Sequence, residues 1–166
     1  MKLLRIIRFD ATDEKVFERA AGPDELAVAC AFLFADDTPE TLSGKRRQAF
    51  RNGFLGLESF GFATFACVAE MPLSEHARAI ELLAYRLFAE LGAPDLDAAR
   101  AAAKDEVDFA AGLCGHPINT VIAVEREMSE DGVRERFRIV PAPREKDHAK
   151  VWALDSLLPL GEKGKG

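Results

Sequence analysis

The sequence predicts an α+β fold, an antiparallel sheet of about five strands with three helices packed on one face. Three observations carry this expectation. Short apolar runs of strand length, rich in Phe and Cys, recur through the first half of the chain. Two stretches between residues 74 and 114 repeat their apolar residues at helical spacing. An Asp131-Gly132 pair then separates two alternating segments, as the turn of a β-hairpin does.

Residues 2–9 have apolar side chains at both parities and read as a buried strand, ended by turn-forming residues up to Asp13. Residues 28–34 read as a second strand, stopped by Asp36-Asp37. Thr38 or Ser43 is placed to cap a short helix running through Lys45 to Phe50 and ending at Gly53. Residues 54–60 are punctuated by glycine and read as irregular, and residues 62–70 return to strand.

Ser74 is the expected cap of the next helix, whose buried stripe is Ile80, Leu83, Ala84, Leu87, Phe88 and Leu91, with Gly92 at its end. Pro94 or Asp95 opens another helix. Its packing face is Leu96, Ala99, Ala103, Val107, Ala110 and Cys114, small enough for a close approach of backbones. Across an Asp131-Gly132 turn, Glu127 would oppose Arg136, Glu125 would oppose Arg138, and Val124 would pair with Ile139 on the other face. Residues 1–140 thus read as a single α+β domain. Residues 141–166 read as a polar linker, an apolar docking arm and a disordered tail.

Composition narrows the class. The chain has 166 residues, 48% hydrophobic and 30% charged, so it can bury a core and is neither a disordered nor a membrane-spanning sequence. Its Phe count of 12, against one Trp and one Tyr, favours core packing over ligand stacking. A formal net charge of −6 opposes nucleic acid and anionic membrane, and no stacking aromatics interleave the Arg134, Arg136 and Arg138 stripe. Arg5 and Arg8 interrupt what a signal peptide would need as an apolar core, and three scattered cysteines are not a disulfide framework. The expected location is the cytoplasm.

Two clusters could carry chemistry. Lys45, Arg47 and Arg51 make a basic patch on an acidic protein and could hold a phosphate or carboxylate. The patch is no phosphate loop, because Gly44-Lys45 is followed by Arg46 and lacks the upstream glycine. Cys114 and His116 place a thiol beside an imidazole, the raw material of a nucleophile or half a metal site. Cys114 also falls on the apolar stripe of its helix, which favours a structural thiol. The carboxylates Asp105, Glu106 and Asp108 share a helix, but Lys104 precedes Asp108 by four and a solvated face explains them. No metal site, cofactor motif, Gly-x-Ser-x-Gly elbow or Cys-x-x-Cys pair is present. In the arm, Trp152, Leu154, Leu157 and Leu158 form an apolar cluster suited to docking on a partner.

Three stretches carry a resemblance: MKLLR with IRFD over residues 1–10, KRRQAFRNGFLGLESFG over 45–61, and CGHPINTVIAV over 114–124. Together they resemble a family of small uncharacterised alphaproteobacterial proteins, across most of residues 1–140. The resemblance assigns no catalytic residue. The genes that accompany such proteins, for oxidoreductases and lipoate-ligase-like proteins, imply an accessory role. This chain departs from the family's expected Gly and Trp where it reads Pro23-Asp24-Glu25-Leu26.

The leading expectation is therefore a non-catalytic accessory or interaction protein, self-associating or bound to a partner enzyme. The alternative is a small anion-binding protein or enzyme in which Lys45, Arg47 and Arg51 lie near Cys114 and His116. The distance between those two segments discriminates the readings.

Overall fold

The computed structural model describes residues 1–141. The expected docking arm, with Trp152, Leu154, Leu157 and Leu158, lies outside the described residues. In chain order the elements are β1 (Lys2–Ile7), α1 (Thr12–Val16), β2 (Ala27–Ala29), a 3-10 turn (Ala31–Phe34), α2 (Gly44–Asn52), β3 (Phe54–Gly56), β4 (Phe62–Ala63), β5 (Phe65–Glu70), α3 (Leu73–Ala89), α4 (Leu96–Gly112), β6 (Val121–Ser129) and β7 (Gly132–Val140).

The fold is mixed α+β, but the strands form two antiparallel sheets rather than one, and α1 adds a fourth helix. One sheet has four strands in the order β1-β5-β6-β7, and the other has three in the order β2-β3-β4. They meet where Arg5 bridges Leu26, with Ile6 N–H donating to Glu25 O at 2.8 Å and Asp24 N–H donating to Ile6 O at 2.9 Å. They meet again at Thr64. The expected strand over residues 62–70 is cut there, because Thr64 N–H and Oγ1 turn away to the buried carboxylate of Asp13, Oγ1 at 2.7 Å.

Two further expectations fail for local reasons. The strand expected over residues 28–34 stops after Ala29, since Cys30 leaves extended geometry (ψ 23°) and donates its thiol to Gly53 O at 3.1 Å. The following 3-10 turn sends Phe34 inward, edge-on to Phe50 at 5.4 Å. Residues 54–60 are not irregular throughout, for Phe54–Gly56 is β3. The glycines there serve close approach: a Cβ on Gly61 would lie 2.7 Å from the Ala20 carbonyl carbon, and one on Gly56 2.5 Å from Glu25 Oε1.

The helices hold the core-side face. Gly53 ends α2 as expected, its N–H donating to Ala49 O, while Ser43 occupies the cap position without a side-chain bond. Pro72, not Ser74, precedes α3. The buried face of α3 is Ala79, Leu83 and Ala84, whereas Phe88 and Leu91 are about half exposed, because the stripe faces α4 rather than a second apolar layer. Asp95 caps α4 through Ala98 N–H at 2.7 Å, and Ala99, Ala103, Val107 and Ala110 are buried as expected, with Leu96 left at the rim. Small residues let α4 pack against α3, β1 and β2 at once.

The hairpin exists, with a register displaced by two. Ser129 pairs with Gly132, so the loop is Glu130-Asp131 and Gly132 carries the positive φ of 114° just after it. Glu127 therefore faces Arg134, Glu125 faces Arg136, and Val124 faces Phe137. A displacement of two keeps each side chain on its expected face.

Candidate functional site

Strand alternation places Ile122, Val124 and Arg126 on the same face of β6, the face that looks into the core. Arg126 is consequently a charged side chain with 0% exposure. Its Nε donates to Glu135 Oε2 at 2.7 Å across the β6–β7 ladder, and its Nη1 donates to Phe50 O at 2.9 Å and Gly53 O at 3.0 Å. Both carbonyls sit at the end of α2, so Arg126 closes that helix terminus as well as pairing with Glu135. Nη2 has no hydrogen-bond partner among the described residues. Asn52 Nδ2 adds a bond to Val124 O at 3.1 Å, fixing α2 over β6.

Above this guanidinium is a cavity of about 420 Å³ between α2 and the far end of β6. Arg47 and Arg51, one helical turn apart on α2, line it together with Arg126, and Leu42, Phe50 and Met128 supply apolar wall. Glu127 is the acid at its rim. Most other arginines of the described chain find carboxylates, among them Arg5 with Asp24, Arg46 with Asp37, Arg78 with Glu58, and Arg100 with Glu81. Arg47 and Arg51 form no ion pair among the described residues, and Arg47 only donates Nε to Leu42 O at 3.2 Å. Lys45, the third member of the expected patch, is exposed and does not line the cavity.

Cys114 and His116 lie elsewhere. His116 lines a different cavity, with Leu113, Ile122, Phe137 and Ile139, and its carbonyl accepts from Lys2 Nζ at 2.7 Å. The Cys114 thiol is buried and donates to Ala110 O at 3.4 Å; burial, above all, pushes its pKa up to about 11. Cys30 is raised to about 11 by the same cause, although the nearby Arg126 guanidinium pulls the other way. Such thiols are poor nucleophiles at neutral pH. Glu106 of α4 faces the Arg126–Glu135 pair, and burial first, then the charge of Glu135, holds its carboxyl above the usual carboxylate range.

A second surface is the outer edge of β7. Among the described residues this nine-residue strand is the last in its sheet and is paired on one side only. Its core-side positions Val133 and Ile139 are 41% and 50% exposed, and Phe137 meets the half-exposed Phe109 of α4 at 5.7 Å between ring centres, the rings tilted by 56°. On the other face Arg136 is held by Glu125 at 2.5 Å and Arg138 by the same carboxylate at 3.5 Å, while Arg134 has no ion pair among the described residues.

Sequence reasoning found Arg47 and Arg51 but missed Arg126. The signal was available: in Ile122-x-Val124-x-Arg126-x-Met128 an arginine occupies an apolar parity. Among the described residues no group of three or more His, Cys, Asp or Glu is placed to hold a metal ion, and no helix is long and apolar enough to cross a membrane. A family model described as a family of unknown function, DUF6505, matches residues 1–155. No curated protein and no solved structure matches the chain.

Proposed function

We propose that this chain, which belongs to the family of unknown function DUF6505, is a non-catalytic accessory protein that binds an extended segment of a protein partner along β7. The observation that carries the reading is the edge of that strand, unpaired among the described residues, nine residues long and bordered by exposed Val133, Ile139 and Phe109. A free edge offers a row of backbone donors and acceptors to an incoming strand, and alternate side chains then set specificity.

Charge favours a different protein over a second copy. A symmetric antiparallel pairing centred on Arg136 would set Arg134 against Arg138 and Arg136 against itself, which like charges oppose. An acidic strand would meet those same arginines favourably. The raised thiol pKa values and the separation of Arg47 and Arg51 from His116 into different cavities speak for binding rather than covalent chemistry. The arm with Trp152, Leu154, Leu157 and Leu158 would add an apolar contact to the same partner.

The test is cross-linking mass spectrometry on the protein purified from its native host, beside the double variant Val133→Lys, Ile139→Lys. Cross-links from the hairpin to one partner, lost in the variant at unchanged melting temperature, are the expected result. A variant that retains the same partner and cross-links would reject the edge as the binding surface.

A further inference from the structure

We infer that the cavity between α2 and the far end of β6 is a binding site for a small organic anion, a carboxylate or phosphate ester bearing a short apolar body. The inference is independent of the association through β7, since it uses other residues and another surface.

Three features of the cavity point to such a ligand. Arg47 and Arg51 stand on one face of α2 without carboxylate partners among the described residues, whereas most of the other arginines pair with acids. Two unpaired guanidinium groups one turn apart repel each other, at a cost that an anion between them removes. Arg126 then supplies positive charge from beneath. Its guanidinium is withdrawn from solvent, and three of its five N–H groups are engaged by Glu135, Phe50 and Gly53, leaving both on Nη2 unmatched among the described residues. Charge in a low-dielectric setting projects further than charge in water, so the cavity feels Arg126 more than its burial suggests.

Opposing charge is present but smaller. Glu135 pairs with Arg126 from below, with Glu106 facing that pair, and Glu127 is the one carboxylate lining the cavity beside the three guanidinium groups. Size and wall chemistry define the rest of the ligand. Leu42, Phe50 and Met128 offer a bare inorganic ion no hydrogen bonds. An anionic head at the arginines with a hydrocarbon body against those three side chains uses both halves. Lys45, though close in sequence, takes no part.

The test is isothermal titration calorimetry on the full chain at low salt with four probes: hexanoate, hexyl phosphate, inorganic phosphate and hexanol. Saturable binding of hexanoate or hexyl phosphate is expected, at least tenfold tighter than inorganic phosphate, with no binding of the neutral alcohol. The stronger of the two organic anions identifies the headgroup. Arg47→Ala and Arg51→Ala, both at exposed positions, should each weaken that anion about tenfold or more, and Lys45→Ala should not. Arg126→Met is not relied on, because it disturbs the core. Absence of saturable binding by both organic anions would overturn the site, and so would hexanol binding as well as hexanoate, or Arg47→Ala and Arg51→Ala variants that bind as the wild type does.

Discussion

Arg126 and Glu135 face each other across the β6–β7 ladder with Nε donating to Oε2 at 2.7 Å, and the arginine of the pair is fully buried. Removing one partner of such a pair is far more damaging than never having built it, because the charge left behind has no water to return to. Arg126→Met strands Glu135 and frees the carbonyls of Phe50 and Gly53 at the end of α2. The expected cost is about 3–5 kcal/mol in urea unfolding. The double variant Arg126→Met, Glu135→Leu should recover much of that loss. A single variant within about 1 kcal/mol of wild type would mean that the guanidinium contributes no net stability.

Glu106 ties stability to pH. Burial, then Glu135 and Asp105, raise its folded pKa above the ordinary value of 4.5, with Arg126 offsetting part of the shift. A raised folded pKa favours the protonated form, so its contribution is full below the unfolded pKa and is lost as pH rises through the folded one. Near neutral pH an ionised Glu106 is therefore a liability. Glu106→Gln should raise the melting temperature at about pH 7, with the gain vanishing towards about pH 4. A gain that is the same at both ends would assign the effect to something other than titration.

The three cysteines are free and buried. With Cys30 and Cys114 raised to about 11, roughly one thiol in ten thousand is ionised at neutral pH. Iodoacetamide should label none of the three in the folded protein within minutes and all three in denaturant, as read by intact mass. Cys114→Ala should cost about 1 kcal/mol by opening a small void beside α4. Rapid native labelling of Cys114 would restore the nucleophile reading.

Two glycines should respond in opposite directions. An alanine at Gly61 would press its Cβ to 2.7 Å from backbone atoms of Ala20, where nothing flexible can give way. A loss of about 2–4 kcal/mol is expected. At Gly112 an added Cβ meets no atom within 4 Å, and the residue closes α4. Gly112→Ala should be neutral or stabilise by up to about 1 kcal/mol. Equal melting temperatures for the two variants would contradict the close packing of Gly61 on Ala20.

What the sequence made legible was chiefly periodicity. Ala99, Ala103, Val107 and Ala110 are buried because helical spacing leaves them no other face, and Asp95 caps α4 through the bond its position suggests. The hairpin kept its faces but not its register, since parity survives a displacement of two and only the φ of Gly132 locates the loop. The break at Thr64 was not legible, because its cause is Asp13, fifty-one positions away in the chain. The site was half legible. Arg47 and Arg51 stand out in any reading of charge, whereas Arg126 is marked in the sequence only by its apolar parity between Val124 and Met128.

Thr64 is the only residue between β4 and β5, and those strands belong to different sheets. Neither sheet can open at this point without dragging the other, since one short stretch of covalent chain is ladder-bonded into both. With Asp13 holding the hinge and the Arg5–Leu26 bridge joining the sheets a second time, the two are linked twice on the β1–β5 side of the four-stranded sheet. Sub-global opening therefore has no seam along which to run between them. Amide protons of β1, β3 and β5 should exchange with solvent as one cooperative block, protected to the same free energy, while the half-exposed β7 exchanges earlier.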